Sequence, residues 1–377
     1  MTALALRLCL LVLALAASAC SATRPLLALD EDPLAPMPGS DLSSAEIDRQ
    51  IEIGRSEFEQ DLVWEASRRA LELIEDSRLD SEQGNAATQL LIDAFGRGIE
   101  RSTRPSQLDR FRPSRLPRAV RAMQGVGKAR LLVERGEPFA AYDEIRKLED
   151  VYPSHHLTRE AADLVYRAGN ALYESKGRYL IFFTDRGRAP TVFEYLVLRH
   201  PTHHGCDEAY WLLAQFAEEG RDYERAIAHH EDLVLFHPSS PYAVDAEAKI
   251  PQLRLLDHVR VDFDTNLVKR ARTETETWLA RHGARTGDAE HDALVERMEA
   301  LRIECLTRWT RADLVVARYY DQLGEEFGAR MHAARARQLG ERAGLVDEVE
   351  EAQEILARNA VASGAPTPSA GPTEALP

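Results

Sequence analysis

The chain has 377 residues, of which 29% are charged and 44% hydrophobic, and its formal net charge is -15. This acidic balance argues against a nucleic-acid binder, because such proteins need a basic face to neutralise phosphates. The length exceeds that of a typical single domain, although elongated repeat folds escape that rule.

The chain begins with the features of a secretory signal. Arg7 precedes a short apolar run, and three small residues lead from that run into Cys20. The run is too short to span a bilayer, which takes about 20 apolar residues. A cysteine directly after the small residues resembles the lipobox of bacterial lipoproteins. The resemblance implies that the signal peptide, residues 1–19, is cleaved and that Cys20 becomes the lipidated N-terminus. The alternative is an ordinary signal in which this cysteine has no role.

Three segments follow the signal. Residues 20–45 contain four prolines and are interpreted as a flexible linker after the lipidated cysteine. Residues 46–100 are rich in helix-forming residues with apolar positions three and four apart, which predicts N-terminal repeat-like helices. Residues 101–121 carry seven arginines against Asp109 alone and are interpreted as an Arg/Pro-rich linker. This linker is either a solvated hinge or a contact for lipid headgroups or an acidic partner.

An internal repeat follows the basic segment. Pro153, Pro201 and Pro238 each end an amphipathic pattern and lie 48 and 37 residues apart, and each has an alanine 12 residues upstream. This spacing resembles the tetratricopeptide repeat, a helix pair with small residues at its close contacts. No convincing strand pattern is present. We therefore predict an all-α, tetratricopeptide-repeat-like, right-handed helical solenoid with disordered termini. The array covers residues 122–341.

The rest of the chain completes this organisation. Residues 342–360 are predicted as a C-terminal helix. Residues 361–377 consist mostly of Pro, Ala, Ser and Thr and are predicted as a disordered tail.

Four segments of the array, in this order, resemble the BamD-type outer-membrane assembly lipoproteins: residues 200–212, 237–246, 261–265 and 313–320. The resemblance covers about residues 122–341. It implies a non-catalytic scaffold of the β-barrel assembly machinery, lipid-anchored in the outer membrane and facing the periplasm. Its partners would be the periplasmic domains of the barrel insertase and unfolded outer-membrane proteins. The alternative is a repeat scaffold or pilot lipoprotein for secretin assembly or cell-wall coordination, since the same repeats serve those complexes.

In such arrays the first helix of each pair lines the concave face. The repeat register places seven residues there as a partner groove: Arg130, Glu134, Glu174, Arg178, Trp211, Gln215 and Glu218. Mixed charge with one aromatic residue suits an extended peptide, and Trp211 is the candidate hot spot. The alternative for Trp211 is packing between repeats.

One cluster of side chains has the composition of a metal site: His200, His203, His204, Cys206 and Asp207. The repeat pattern already accounts for this stretch as a loop and a helix start, so we expect no metal, no cofactor and no enzyme activity. A disulfide between Cys206 and Cys305 is chemically permitted in an oxidising compartment.

Overall fold

The computed structural model describes residues 42–75, 79–175, 178–180, 183–257 and 265–362. Within these ranges the chain forms fourteen α-helices. The first seven are α1 (Ser44–Glu59), α2 (Val63–Glu75), α3 (Ser81–Arg101), α4 (Arg118–Glu134), α5 (Pro138–Val151), α6 (Thr158–Glu174) and α7 (Ala189–Arg199). The others are α8 (Cys206–Glu219), α9 (Tyr223–Phe236), α10 (Ala243–Asp257), α11 (Asn266–His282), α12 (Ala289–Leu323), α13 (Glu326–Ala343) and α14 (Val346–Ala362). The all-α prediction is confirmed.

The chain divides into two compact units. Of the described residues, the first contains those up to 135 together with 143–158, and the second contains 136–142 together with those from 159 onward. Helix α5 therefore contributes its first turn to the second unit and the rest to the first.

The core of the first unit is built where α2, α3 and α4 meet the segment between α3 and α4. Phe95 is fully buried, and its ring packs edge-on against Trp64 at a centroid distance of 5.7 Å. Leu71 and Leu91 join the same cluster. Buried aromatic pairs of this geometry add stability beyond the area that they remove from water.

Residues 101–121 are part of this core. A 3₁₀-helix spans Pro105–Arg110, and Leu108, Phe111 and Leu116 are buried in the cluster that contains Phe95. The side-chain amide of Gln124 donates hydrogen bonds to the carbonyls of Leu108 and Phe111. The linker interpretation of this segment is therefore wrong. The many arginines and prolines favoured a linker, and the three buried apolar residues, Leu108, Phe111 and Leu116, are spaced too irregularly to show a helical period.

In the second unit, each helix from α7 onward packs on the next one in sequence, which is the packing order of a helical-repeat solenoid. The three prolines act as predicted. Helix α5 ends two residues before Pro153, α7 two before Pro201 and α9 two before Pro238. Proline cannot donate the next helical hydrogen bond, and its ring clashes with the preceding turn.

Small residues lie at the close contacts between helices, as the repeat predicts. Ala214 and Ala226 are fully buried on α8 and α9. A methyl group added at Gly169 of α6 would lie 2.6 Å from a ring carbon of Phe193 on α7. No side chain larger than hydrogen fits at that approach.

Helix α12 spans 35 residues and belongs to two helix pairs. It packs against α11 and also against α13. A left-handed residue, Gly324, with φ of 73°, ends it and starts the tight turn into α13.

A short antiparallel β-hairpin follows α6, where no strand was predicted. Strand β1 (Arg178–Leu180) pairs with β2 (Phe183–Thr184), with Arg178 opposite Thr184 and Leu180 opposite Phe183. Two- and three-residue strands are too short to show an alternating sequence pattern.

No helix within the described ranges has the length and apolarity that crossing a bilayer requires. The predicted signal peptide, Cys20, most of the first linker and the tail from residue 363 lie outside the described residues.

Candidate functional site

The predicted groove residues of α8 form one row along the helix. Trp211, Gln215 and Glu218 are spaced four and three residues apart, which places them on one side of the helix. All three are half-buried. We call Trp211, Gln215 and Glu218 the α8 row.

Contacts from neighbouring helices account for the partial burial of the α8 row. The ring of Trp211 is parallel to that of Tyr242, at a centroid distance of 5.5 Å and an interplanar angle of 14°, and it also contacts His230. Gln215 accepts a hydrogen bond from the Tyr173 hydroxyl of α6 at 3.4 Å. Trp211 therefore packs between repeats while part of its surface stays exposed.

Glu218 joins three helices through its two carboxylate oxygens. Its Oε1 accepts a hydrogen bond from His230 Nε2 of α9 at 3.0 Å, and its Oε2 pairs with Lys249 Nζ of α10 at 2.8 Å. Burial by itself raises the pKa of Glu218, but the hydrogen bonds from His230 and Lys249 outweigh it, so the pKa is lowered. At neutral pH the Glu218 carboxylate is therefore ionised and held in place, and it links α8 to α9 and α10.

The remaining groove predictions have different outcomes. Glu174 is exposed at the end of α6. Arg178 was expected to extend the inner face of that helix, but α6 ends at Glu174 and Arg178 begins β1, so this placement is wrong. Arg130 and Glu134 lie on α4 in the first unit, whereas the other five lie in the second.

A second constellation lies at the loop between α7 and α8. His203, 4% exposed at its side chain, is 2.8 Å from Asp163 of α6 through its Nε2. The ring of His204 lies 4.2 Å from that of His203, and Tyr166 packs on both rings. The ligand atoms of Asp163, His203 and His204 lie within 4.8 Å of one another. The metal-type cluster predicted from the sequence contained both histidines but not Asp163, which lies 40 residues upstream of His203.

The hydrogen bonds of His203 decide how well these residues suit a metal. Its Nδ1 accepts the backbone N–H of Gly205 at 3.1 Å, so the proton of the neutral ring sits on Nε2 and is donated to Asp163. A metal would need the lone pair of that same Nε2. His203 is thus arranged as a hydrogen-bond donor that ties the loop to α6, rather than as a metal ligand.

Two other members of the predicted metal cluster, Cys206 and Asp207, form hydrogen bonds within the protein. The thiol of Cys206 donates to the carbonyl of His200 at 3.1 Å, and burial raises its pKa to about 11. Asp207 accepts the hydroxyl of Ser240 at 2.8 Å. A neutral, buried thiol is a poor ligand and a poor nucleophile at neutral pH.

Cys206 and Cys305 are both free and buried, so the disulfide left open by the sequence is not formed. Burial also raises the pKa of Cys305, to about 12. Both cysteines act as small apolar residues in the core.

Comparison with known proteins gives no relative from which a function could be transferred. No protein-family model matches the chain, and no curated protein does. One solved structure, titled "Circular tandem repeat protein with novel repeat topology and enhanced subunit contact surfaces", is similar at 14% sequence identity, with a TM-score of 0.16, over 84% of this chain and 78% of that chain. At this TM-score the likeness carries no argument about this protein.

Proposed function

We propose that this protein is a non-catalytic helical-repeat scaffold, anchored to the outer membrane by a lipid on Cys20, that holds partner proteins on the periplasmic side. The best candidate complex is the β-barrel assembly machinery, with the barrel insertase and unfolded outer-membrane proteins as partners. The anchor, location and complex rest on the sequence resemblances. The binding role rests on the fold and on the α8 row.

The observation that carries the binding role is the half-exposed aromatic and polar surface around the α8 row. The ring of Trp211 stacks on the ring of Tyr242. Gln215 and Glu218 form hydrogen bonds with residues of α6, α9 and α10. A rigid tryptophan contributes a large contact area at low entropic cost, which is why such residues dominate protein interfaces. An extended segment of a partner suits a row of this kind.

The side chains of the candidate metal cluster and of Glu218 form structural contacts. Asp163, His203, Cys206 and Asp207 each bond a residue of another helix or loop, and Glu218 is fixed between His230 and Lys249. An acid or base for catalysis needs access to a substrate and a proton that it can exchange. These side chains support a scaffold more than an enzyme.

The test is a pull-down of the full chain from its native membrane, with identification of the recovered proteins by mass spectrometry. The proposal expects a barrel insertase among them. Recovery of a secretin or of cell-wall enzymes without an insertase would favour the pilot or cell-wall alternative and overturn the first choice.

The variant Trp211→Ala tests the surface itself. We expect it to weaken partner binding about thirtyfold, because truncating an aromatic hot spot costs on the order of 2 kcal/mol or more. Phe327→Ala is the control, since Phe327 is also aromatic, lies in the same unit and is 81% exposed. Thermal melting of both variants separates lost binding from lost folding.

A further inference from the structure

The first unit contains a cleft that the proposed function does not use. It lies between α4, the second part of α5 and the turn at Pro113, with a volume of about 220 Å³. Gly125 and Leu148 lie at its base, where a methyl group added to Gly125 would meet Leu148 at 3.0 Å. Val151, 63% exposed, and Tyr152 complete its apolar part. We call this site the basic cleft.

Cations outnumber carboxylates at the basic cleft. Arg121, Lys128 and Lys147 line it, and the guanidinium of Arg118 lies 5.3 Å from the centroid of the Tyr152 ring. Against these four cations stand three carboxylates: Asp109, which pairs with Lys128, and Asp143 and Glu144, which pair with Lys147. In a chain of net charge -15, this is a local reversal of sign.

The arginines of the basic cleft are held in place without carboxylates. The guanidinium of Arg121 donates to the Tyr152 hydroxyl and to the backbone carbonyls of Ser114 and Leu116, while its buried Nε has no hydrogen-bond partner among the described groups. Arg118 and Arg121 lie 5.3 and 5.0 Å from the centroid of the Tyr152 ring. Neither arginine forms an ion pair with a described carboxylate. Fixed cations with unused donors lose little entropy when they bind an anion.

The size of the cleft restricts its ligand. Sites for cofactors and drug-sized molecules measure roughly 300–1,000 Å³, so this cleft takes a single side chain. Its apolar base beside Val151 and Leu148 suits an aliphatic side chain, and the cations around it suit carboxylates. A flat bilayer surface would leave the concave apolar base unfilled.

We propose that the basic cleft binds an acidic segment of a partner protein, with one aliphatic side chain against Leu148 and Val151 and flanking carboxylates at Arg118, Arg121 and Lys147. The segment displaces Asp143 and Glu144 from Lys147. Exposed ion pairs of this kind contribute little to stability, so new ion pairs with the bound segment offset their loss. The site does not depend on which envelope complex the protein serves.

The experiment measures binding of the fluorescein-labelled peptide Asp-Glu-Asp-Leu-Asp-Glu-Asp to the full chain by fluorescence anisotropy. We expect saturable binding that weakens as salt is raised, because exposed charge pairs are screened. Replacing the peptide's leucine by serine, or its acids by Asn and Gln, should weaken binding about tenfold. Arg118→Glu combined with Lys147→Gln should weaken it about tenfold or more.

The matched control is Arg49→Glu combined with Arg55→Gln, which makes the same charge change on α1 of the same unit. Circular dichroism checks that each variant is folded, and glutamate at the first turn of α4 suits the helix dipole. Equal losses in the cleft and control variants would overturn the proposal, as would absence of peptide binding. Cleft-dependent binding to vesicles containing phosphatidylglycerol, without peptide binding, would assign the site to lipid instead.

Discussion

Gly205, in the loop before α8, lies close to Tyr166 of α6. A methyl group on its Cα would lie 2.4 Å from the ring of Tyr166, whose hydroxyl is bonded to Glu208 and so cannot swing away freely. We therefore predict that Gly205→Ala lowers the free energy of unfolding by about 1–3 kcal/mol, seen as a lower urea midpoint. Gly84→Ala is the control, because that site in α3 has open space and should gain about 0.5–1 kcal/mol. Equal midpoints would contradict this account.

A second residue, His229, predicts a pH dependence of stability. Desolvation by burial, followed by the positive charges of Arg225 and His230, lowers its pKa from 6.5 to about 4. The unfolded chain therefore binds more protons below pH 6.5, so the contribution of His229 to stability is complete above that pH and is lost as the pH falls towards 4.

The variant His229→Phe keeps a planar ring and removes this titration. We predict that the urea midpoint of the natural chain falls more than that of the variant between about pH 7 and about pH 5, by the equivalent of about 1 kcal/mol. Parallel pH profiles for the two proteins would show that His229 does not titrate in this way.

At the scale of elements, the segment between α3 and α4 gives the sharpest test of the fold. Phe111 is 3% exposed and packs against Trp64 and Phe95. We predict that Phe111→Ala lowers the free energy of unfolding by about 3–5 kcal/mol, as expected for a buried aromatic ring. The neighbouring exposed residue supplies the control, and Arg112→Ala should change stability by less than about 0.5 kcal/mol. A small effect of both changes would restore the linker interpretation.

The helices themselves were largely predictable. Pro153, Pro201 and Pro238 correctly marked three helix ends, because proline lacks the backbone N–H that a continuing helix would use. Pro251 lies inside α10, so a proline alone does not decide where a helix ends. The buried alanines marked the close contacts, because only small side chains fit where two helices cross. The β-hairpin after α6 was missed, and Arg178 was misplaced with it, because backbone pairing between such short strands leaves no periodic pattern.

At the scale of the whole molecule, the proposed lipid anchor determines where the protein works. We predict that Cys20→Ser moves the protein from the membrane fraction to the soluble fraction, because each buried CH₂ of an acyl chain contributes about 0.8 kcal/mol to membrane binding. Fractionation followed by immunoblotting measures this, and mass spectrometry of the mature N-terminus identifies the fatty acids. The control is Cys305→Ser, at a buried thiol in α12. Membrane retention of the Cys20→Ser variant would refute the anchor.

In the candidate sites, too, the sequence predicted some features and could not predict others. The sequence placed Trp211, Gln215 and Glu218 on one side of a helix, because helical spacing is a local property. It could not supply Tyr242, Lys249 or Asp163, since these partners come from other parts of the fold and lie 31 to 40 residues away from the residues that they contact.

The sequence by itself therefore determined the helical class of this protein, several helix boundaries and the small residues at helix contacts, because each depends on neighbours a few positions apart. Only the tertiary structure decided that residues 101–121 belong to a core, that His203 donates to Asp163, and that arginines and lysines converge around Tyr152. The physical reason is that burial and hydrogen bonding depend on groups that are distant in the chain and meet only when the helices pack.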